Sequence, residues 1–105
     1  MKSLDFSRSD RLSDQVRSEI SIILRDKVKD PRLSGLTVLK VEITKDIQKA
    51  YIYFSSSNSF NNTKREDVLL GLNKAKGFIR VLLGKRINVK RVPELVFEED
   101  KSNLL

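Results

Sequence analysis

Apolar residues recur at helical spacing near the start of the chain. The repeat begins after Ser9 at intervals of three and four residues and predicts an amphipathic helix that runs to about Lys27. Ser7 or Ser9 is positioned to cap it, and Asp30-Pro31 ends it, because proline disfavours helical backbone in the residue before it. The residues of this apolar stripe are Leu12, Val16, Ile20, Ile23 and Leu24.

Three later runs alternate between apolar and polar residues and predict strands with one buried face each. The segment from Thr44 to Lys49 joins the first two runs as a hairpin. The third run follows Pro93, which fits a strand start or a sheet edge. The predicted inward residues are Leu39, Val41 and Ile43 in the first strand, Ala50, Ile52 and Phe54 in the second, and Leu95 and Phe97 in the third.

Between the second and third strands, a polar stretch over 55–63 predicts a mobile spacer loop. A second helical period then runs from about Arg65 to Lys85, and Gly77 interrupts it because glycine lowers helix propensity. We therefore predict two short helices separated by a kink at 75–77. Because a strand–helix–strand crossover is right-handed, the third strand should lie parallel to the second, giving a mixed sheet with all helices on one face.

The composition fits one small globular domain with no catalytic chemistry. The chain has 105 residues, of which 39% are apolar and 33% charged, and it contains neither His nor Cys. The usual general base, thiolate nucleophiles and zinc clusters are therefore unavailable, so we expect neither an enzyme nor a metal or cofactor site. Because no stretch is typical of a signal peptide or a membrane span, we also expect a cytoplasmic protein that does not bind membranes.

The net charge of +7 is concentrated in one quarter of the chain. Residues 64–91 contain nine cations and two anions, whereas the rest contains twelve of each. Such a local excess favours an anionic partner, above all nucleic acid phosphate. The cations that we predict to bind RNA are Lys74, Lys76, Arg80, Lys85, Arg86, Lys90 and Arg91.

These cations differ in how strongly the pattern favours RNA contact. Lys76 and Arg80 lie four residues apart on a helix side that we expect to be exposed, and phosphate contact is the preferred interpretation. Lys85 and Arg86 end a helix, where cations also stabilise the helix dipole. The pair 90–91 extends the basic stretch, although a role in solubility explains it nearly as well.

The order of elements is similar to the type II KH fold, and several motifs resemble the ribosome-binding factor A family. Lys29-Asp30-Pro31-Arg32-Leu33 resembles the family's loop after the first helix, and residues 37–55 resemble its hairpin. Gly77-Phe78-Ile79-Arg80 and Val92-Pro93-Glu94-Leu95-Val96-Phe97 resemble its later part. The family replaces the KH clamp Gly-x-x-Gly by a helix kink of the form Ala-x-Gly, which Ala75 and Gly77 match. The chain departs from the family three residues before Pro93, where it has Lys90 instead of the common Arg.

The resemblance implies a single α+β, type II KH-like RNA-binding domain over 8–102, with flexible termini at 1–7 and 103–105. It implies a monomeric ribosome biogenesis factor that binds the free small ribosomal subunit and its rRNA. It further implies a role in late maturation, in precursor rRNA processing and in cold adaptation, without a small-molecule substrate.

Two other functions remain open from the residues alone. A general KH-like module for single-stranded RNA or DNA is one, although the missing Gly-x-x-Gly counts against it. A basic adaptor for an acidic protein is the other. On the open face of the sheet, Tyr51 and Tyr53 are better explained by cross-strand packing than by base stacking. The acidic run 98–100 is typical of a solvated terminus. The apolar residues of 78–83 are needed for the core of so short a chain, which argues against a membrane-surface helix.

Overall fold

The computed structural model describes residues 8–55 and 64–100. Over this range the chain forms two long helices, one short 3₁₀ helix and a three-stranded sheet. The elements are α1 (Arg8–Asp26), the 3₁₀ helix (Pro31–Leu33), β1 (Thr37–Ile43), β2 (Lys49–Ser55), α2 (Arg65–Arg86) and β3 (Glu94–Glu99). The flexible termini and most of the spacer loop predicted above lie outside the described residues.

The sheet has the order β1-β2-β3, with β1 antiparallel and β3 parallel to the central strand. The predicted mixed sheet and α+β class are therefore confirmed. In the hairpin turn the backbone N–H of Thr44 donates to the Lys49 carbonyl at 3.0 Å, and Ile47 adopts a φ of 58°. Parallel neighbouring strands require a crossover connection, and α2 provides it between β2 and β3.

The predicted inward face is correct for β2, for β3 and for Val41 and Ile43 in β1, but it is wrong at Leu39. Val38 pairs with Phe54, whereas Lys40 pairs with Tyr53, so Leu39 is the extra residue of a β-bulge. The bulge changes which side chains point inward, and Val38 is buried while Leu39 is only half-buried. The prediction of Leu39 as a core residue is therefore wrong.

Both long helices pack on the same side of the sheet. All five predicted apolar residues of α1 are buried, and Ser9 lies inside the helix rather than at its cap; Ser7 lies outside the described residues. In α2, Val68, Leu72, Ile79 and Leu83 are fully buried. This helix runs without interruption through Gly77, so the two short helices predicted around a kink form one helix of 22 residues.

Candidate nucleic-acid interface

The predicted RNA-binding residues lie on α2 and on the segment that follows it. Lys85 and Arg86 occupy the last turn of α2, and the backbone N–H of Ile87 donates to the Leu83 carbonyl at 3.0 Å to end the helix. The two cations lie at the helix C-terminus as predicted, where their positive charge interacts favourably with the helix dipole.

The segment 87–93 folds back along the end of α2. Arg80 holds it there, since its Nη2 donates to the Val92 carbonyl at 2.7 Å and its Nε to the Pro93 carbonyl at 3.2 Å. A Cβ on Gly84 would lie only 3.0 Å from Val92 Cγ2, so the missing side chain permits this close approach. The fold therefore brings Lys90 and Arg91 back to the end of α2 that carries Lys85.

We name Lys85, Arg86, Lys90 and Arg91 the terminal basic cluster. All four residues are exposed. Arg86 donates from Nε to Glu19 Oε1 at 2.7 Å and so links α2 to α1. Within residues 8–55 and 64–100, the other three members form no ion pair. Their charges are therefore available to a ligand.

Lys76 and Arg80 are half-buried, so the prediction that both are exposed is wrong. The reason is that this side of α2 faces β3 and the residues before it. Lys76 Nζ lies 6.0 Å from the centre of the Phe97 ring, which fits a cation–π contact, and Arg80 binds the two carbonyls described above. Both side chains already have partners inside the domain.

Lys74 is exposed on another side of α2, near the 3₁₀ helix. Asp30 accepts from the Arg32 side chain at 2.8 Å and from its backbone N–H at 3.0 Å. These hydrogen bonds, together with the charges of Arg32 and Lys74, hold the pKa of Asp30 below its ordinary value, although partial burial opposes them. Lys74 therefore contributes to the field around this loop.

The apolar side chains on the outer side of α2 are a feature that the sequence interpretation missed. Leu70, Phe78 and Val81 are 60%, 51% and 59% exposed, whereas the apolar residues of 78–83 were expected in the core. Helical geometry could have indicated this exposure from the sequence, because Val81 lies about 200° around the helix from the buried Ile79. Gly77 is exposed beside these residues, and the predicted kink residue Ala75 is half-buried.

The open face of the sheet is engaged in cross-strand contacts. Lys40 Nζ lies 4.9 Å from the centre of the Tyr53 ring, and the two residues are paired in register. The pKa of Tyr53 is raised, chiefly by its hydrogen bond to Glu42 and then by burial and nearby negative charge. These contacts match the packing interpretation and place acidic groups where phosphate would be repelled.

The acidic run 98–100 begins inside β3, so it differs from the solvated terminus that the sequence favours. Glu98 and Glu99 belong to β3, and Glu99 Oε1 lies 3.5 Å from Arg65 Nε.

No group of three or more His, Cys, Asp or Glu side chains suitable for a metal ion occurs among the described residues. None of the helices within that range is long and apolar enough to cross a membrane.

A groove of about 780 Å³ lies between α1 and the segment 28–38. Its apolar wall includes Leu24, Val28 and Leu36, and Arg17 and Lys29 lie at its polar side. None of the predicted RNA-binding residues lines it, so it forms no part of the candidate interface.

The fold and the position of the cations define a small α+β domain with a basic side built on one helix and its following segment. Comparison with known proteins agrees, since the profile of the family described as ribosome-binding factor A matches residues 8–104. The ribosome-binding factor A of Syntrophobacter fumaroxidans is 36% identical over 99 residues, which cover 94% of this chain and 85% of that protein. The chain belongs to the ribosome-binding factor A family.

Two solved structures extend the similarity to three dimensions. The crystal structure of ribosome-binding factor A from Thermus thermophilus has a TM-score of 0.79 at 25% identity, covering 90% of this chain and 98% of that one. A homology model of the Thermus thermophilus factor, fitted into a cryo-EM map of a 30S–RbfA complex, has a TM-score of 0.71 at 26% identity. That comparison covers 88% of this chain and 94% of the other.

Proposed function

We propose that this protein is a non-enzymatic ribosome assembly factor that binds the free small ribosomal subunit through its rRNA. The observation that carries the proposal is the concentration of the whole net charge in 64–91, with Lys85, Lys90 and Arg91 exposed at one end of α2. The family membership and the fitted 30S complex of the Thermus relative support the small subunit as the partner.

Binding would proceed through phosphates rather than through base sequence. Lysine and arginine contacts to phosphate fix the position of a protein on RNA but carry little sequence information. The protein would stabilise whichever rRNA conformation places phosphates opposite its cations, and so shift the conformational equilibrium without covalent chemistry. This action fits a monomer in the cytoplasm that supports late maturation and precursor processing.

The seven predicted RNA-binding cations divide into two roles under this proposal. Lys74, Lys85, Lys90 and Arg91 contact phosphate directly, because these side chains are exposed and form no ion pair among the described residues. Lys76, Arg80 and Arg86 shape the surface and add to its positive field, because their charged groups have partners inside the domain.

Sedimentation with purified ribosomal particles tests the partner. We expect the protein to travel with free small subunits in a sucrose gradient at moderate salt, and not with large subunits or joined ribosomes. Equal travel with every particle would contradict selectivity for the small subunit and support a general RNA-binding module. No travel with any particle would contradict the proposal itself and favour an acidic protein partner.

A charge-matched pair of variants tests the surface. Replacing Lys85, Lys90 and Arg91 with Ala should remove most of the protein from the small-subunit fraction. Replacing Lys40, Lys45 and Lys49 with Ala removes the same charge from exposed positions at the hairpin and should leave cosedimentation nearly unchanged. Equal losses from both variants would show that only net charge matters.

A further inference from the structure

The outer face of α2 combines apolar side chains, a glycine and lysines. Around a helix with about 100° per residue, these positions fall within an arc of roughly 100°. The buried residues Leu72, Ile79 and Leu83 occupy the opposite side. We define the outer face of α2 as Leu70, Lys74, Gly77, Phe78, Val81 and Lys85, all of them exposed.

The exposure of this face is unusual for so small a domain. Isolated apolar residues on a surface need no explanation, but Leu70, Phe78 and Val81 share one side of a single helix. Contiguous apolar surface rimmed by polar groups is typical of an interaction site. The core does not use these side chains, so a contact outside the domain is the favoured reason for them.

Gly77 provides an independent observation on the same face. A Cβ placed there would meet no heavy atom of the described residues within 4 Å, apart from the backbone of its own helix. Its φ is not positive, and glycine inside a helix is less favourable than alanine because it loses more backbone freedom on folding. Nothing within the described fold requires a glycine here, whereas a partner that approaches the helix backbone closely would require one.

We infer that Phe78 is a stacking platform for an unpaired RNA base, with Lys74 and Lys85 at the flanking phosphates and Gly77 giving the strand close access to the helix. This inference rests on the proposed function and adds to it a contact with single-stranded rRNA. Aromatic rings accept bases of any sequence by stacking, while nearby cations follow the backbone.

The charge of the surroundings favours RNA over a protein as the occupant. Lys74 and Phe78 lie four residues apart and therefore share one side of the helix. The two anions of 64–91, Glu66 and Asp67, lie in the first turn of α2, so every ionisable residue of the helix from Lys74 onward is a cation. A strand with one negative charge per nucleotide matches this surface along its length.

A single tryptophan at position 78 tests the stacking directly. The chain contains no Trp, so Phe78→Trp places the only indole of the protein on the outer face. We expect protein-free small-subunit rRNA to quench its fluorescence in a saturable titration. The matched control is Tyr51→Trp on the open face of the sheet, where the same RNA should cause little change.

Affinity measurements separate stacking from general apolar contact. Phe78→Leu should weaken binding to free small subunits by roughly 5- to 140-fold, the range expected for the loss of one base–aromatic stack. Phe78→Tyr should bind nearly as the parent does. Because Phe78 is 51% exposed, both variants should fold, which thermal unfolding checks.

The outcomes distinguish failure of this inference from failure of the proposed function. If Phe78→Leu binds normally while the Lys85, Lys90 and Arg91 variant loses binding, RNA binding stands and the stacking is wrong. Quenching by intact subunits but not by protein-free rRNA would assign the face to a ribosomal protein and overturn the inference. A blue-shifted, RNA-insensitive indole in the free protein would overturn it too, since another part of this chain would cover position 78.

Gly77→Ala tests the close approach. The melting temperature should rise by about 2 to 8 °C, since alanine is the better helix former and no atom of the described residues obstructs its methyl group. Affinity for free small subunits should fall at the same time, by at least threefold. A variant that is more stable and binds as tightly as the parent would contradict close approach of RNA at this position.

Discussion

Arg80 illustrates how one residue can shape a basic surface through hydrogen bonds inside the domain. Its two donors bind the carbonyls of Val92 and Pro93, and those bonds set the path of the segment that carries Lys90 and Arg91. The sequence interpretation assigned Arg80 to phosphate contact because four-residue spacing from Lys76 predicted an exposed pair. The two residues do share one side of the helix, but a segment 12 or 13 residues further along occupies that side.

Arg80→Ala should therefore affect stability as well as binding. We expect the free energy of unfolding to fall by about 1 to 3 kcal/mol, because two hydrogen bonds to carbonyl oxygens are lost. Urea denaturation measures the change, and Lys85→Ala, at an exposed position without an ion pair among the described residues, should stay within about 0.5 kcal/mol of the parent.

The binding of Arg80 variants distinguishes positioning from direct contact. Arg80→Lys keeps the charge but not the planar fork, so it should weaken binding to small subunits nearly as much as Arg80→Ala does. The Arg80→Ala loss should also shrink when Lys90 and Arg91 are already Ala. Additive losses, with Arg80→Lys binding as the parent does, would instead indicate direct phosphate contact.

Among the elements, the connection from α1 to β1 contains a carboxylate whose charge stabilises the local fold. Asp30 caps the 3₁₀ helix by accepting from the Arg32 backbone, and its side chain also pairs with the Arg32 guanidinium. The lowered pKa of Asp30 means that folding favours its ionised form. This stabilisation is complete above the unfolded-state pKa of about 3.9 and is lost as the pH falls through the lower folded-state pKa.

Asp30→Asn should therefore destabilise the protein at pH 7 and have progressively less effect below pH 4. Asparagine can still cap the 3₁₀ helix, so the change isolates the charge. Denaturant unfolding of the parent and the variant at pH 7, 5, 3 and 2 measures it, and the two stability curves should converge at the acid end. A constant difference across that range would show that the carboxylate charge is not responsible.

The elements also show where a hydrophobic pattern predicts structure well. The stripe of α1 and the alternation of β2 gave the correct buried residues because nothing interrupts either period. In β1, Val38 and Leu39 are both apolar, and alternation alone does not reveal which of them the bulge turns inward. In α2, Leu72 and Ile79 are seven residues apart and both fully buried, so the apolar stripe stays in phase across Gly77 and one helix packs better than two.

At the scale of the whole molecule, the two sides of the domain have different electrostatic character. The helical side carries the excess cations, whereas the open face of the sheet pairs Lys40 with Tyr53 and also holds Glu42 and Glu98. Charge counting along the sequence located the basic side, since those cations are concentrated in 64–91. Charge counting did not predict that Phe78 is exposed, because the exposure of an apolar residue depends on which helix face the sheet covers.

The salt dependence of binding should report how many cations the RNA engages. Lys74, Lys85, Lys90 and Arg91 are exposed and form no ion pair among the described residues, and four phosphate contacts predict a slope of about −2.8 to −3.6 for log affinity against log salt. Replacing Lys85, Lys90 and Arg91 with Ala should reduce the magnitude of this slope by about 2 to 3, because three contacts are removed. Titrations of free small subunits at four salt concentrations measure both slopes.

The variant that replaces Lys40, Lys45 and Lys49 controls for net charge in this titration. It loses the same number of cations at exposed positions, so a contact-based slope should remain that of the parent. Counterions are released only where cations meet phosphates, whereas overall charge acts through a field that salt screens within about 10 Å at 0.1 M. A parent slope near zero, or equal changes in both variants, would contradict an interface built on the end of α2.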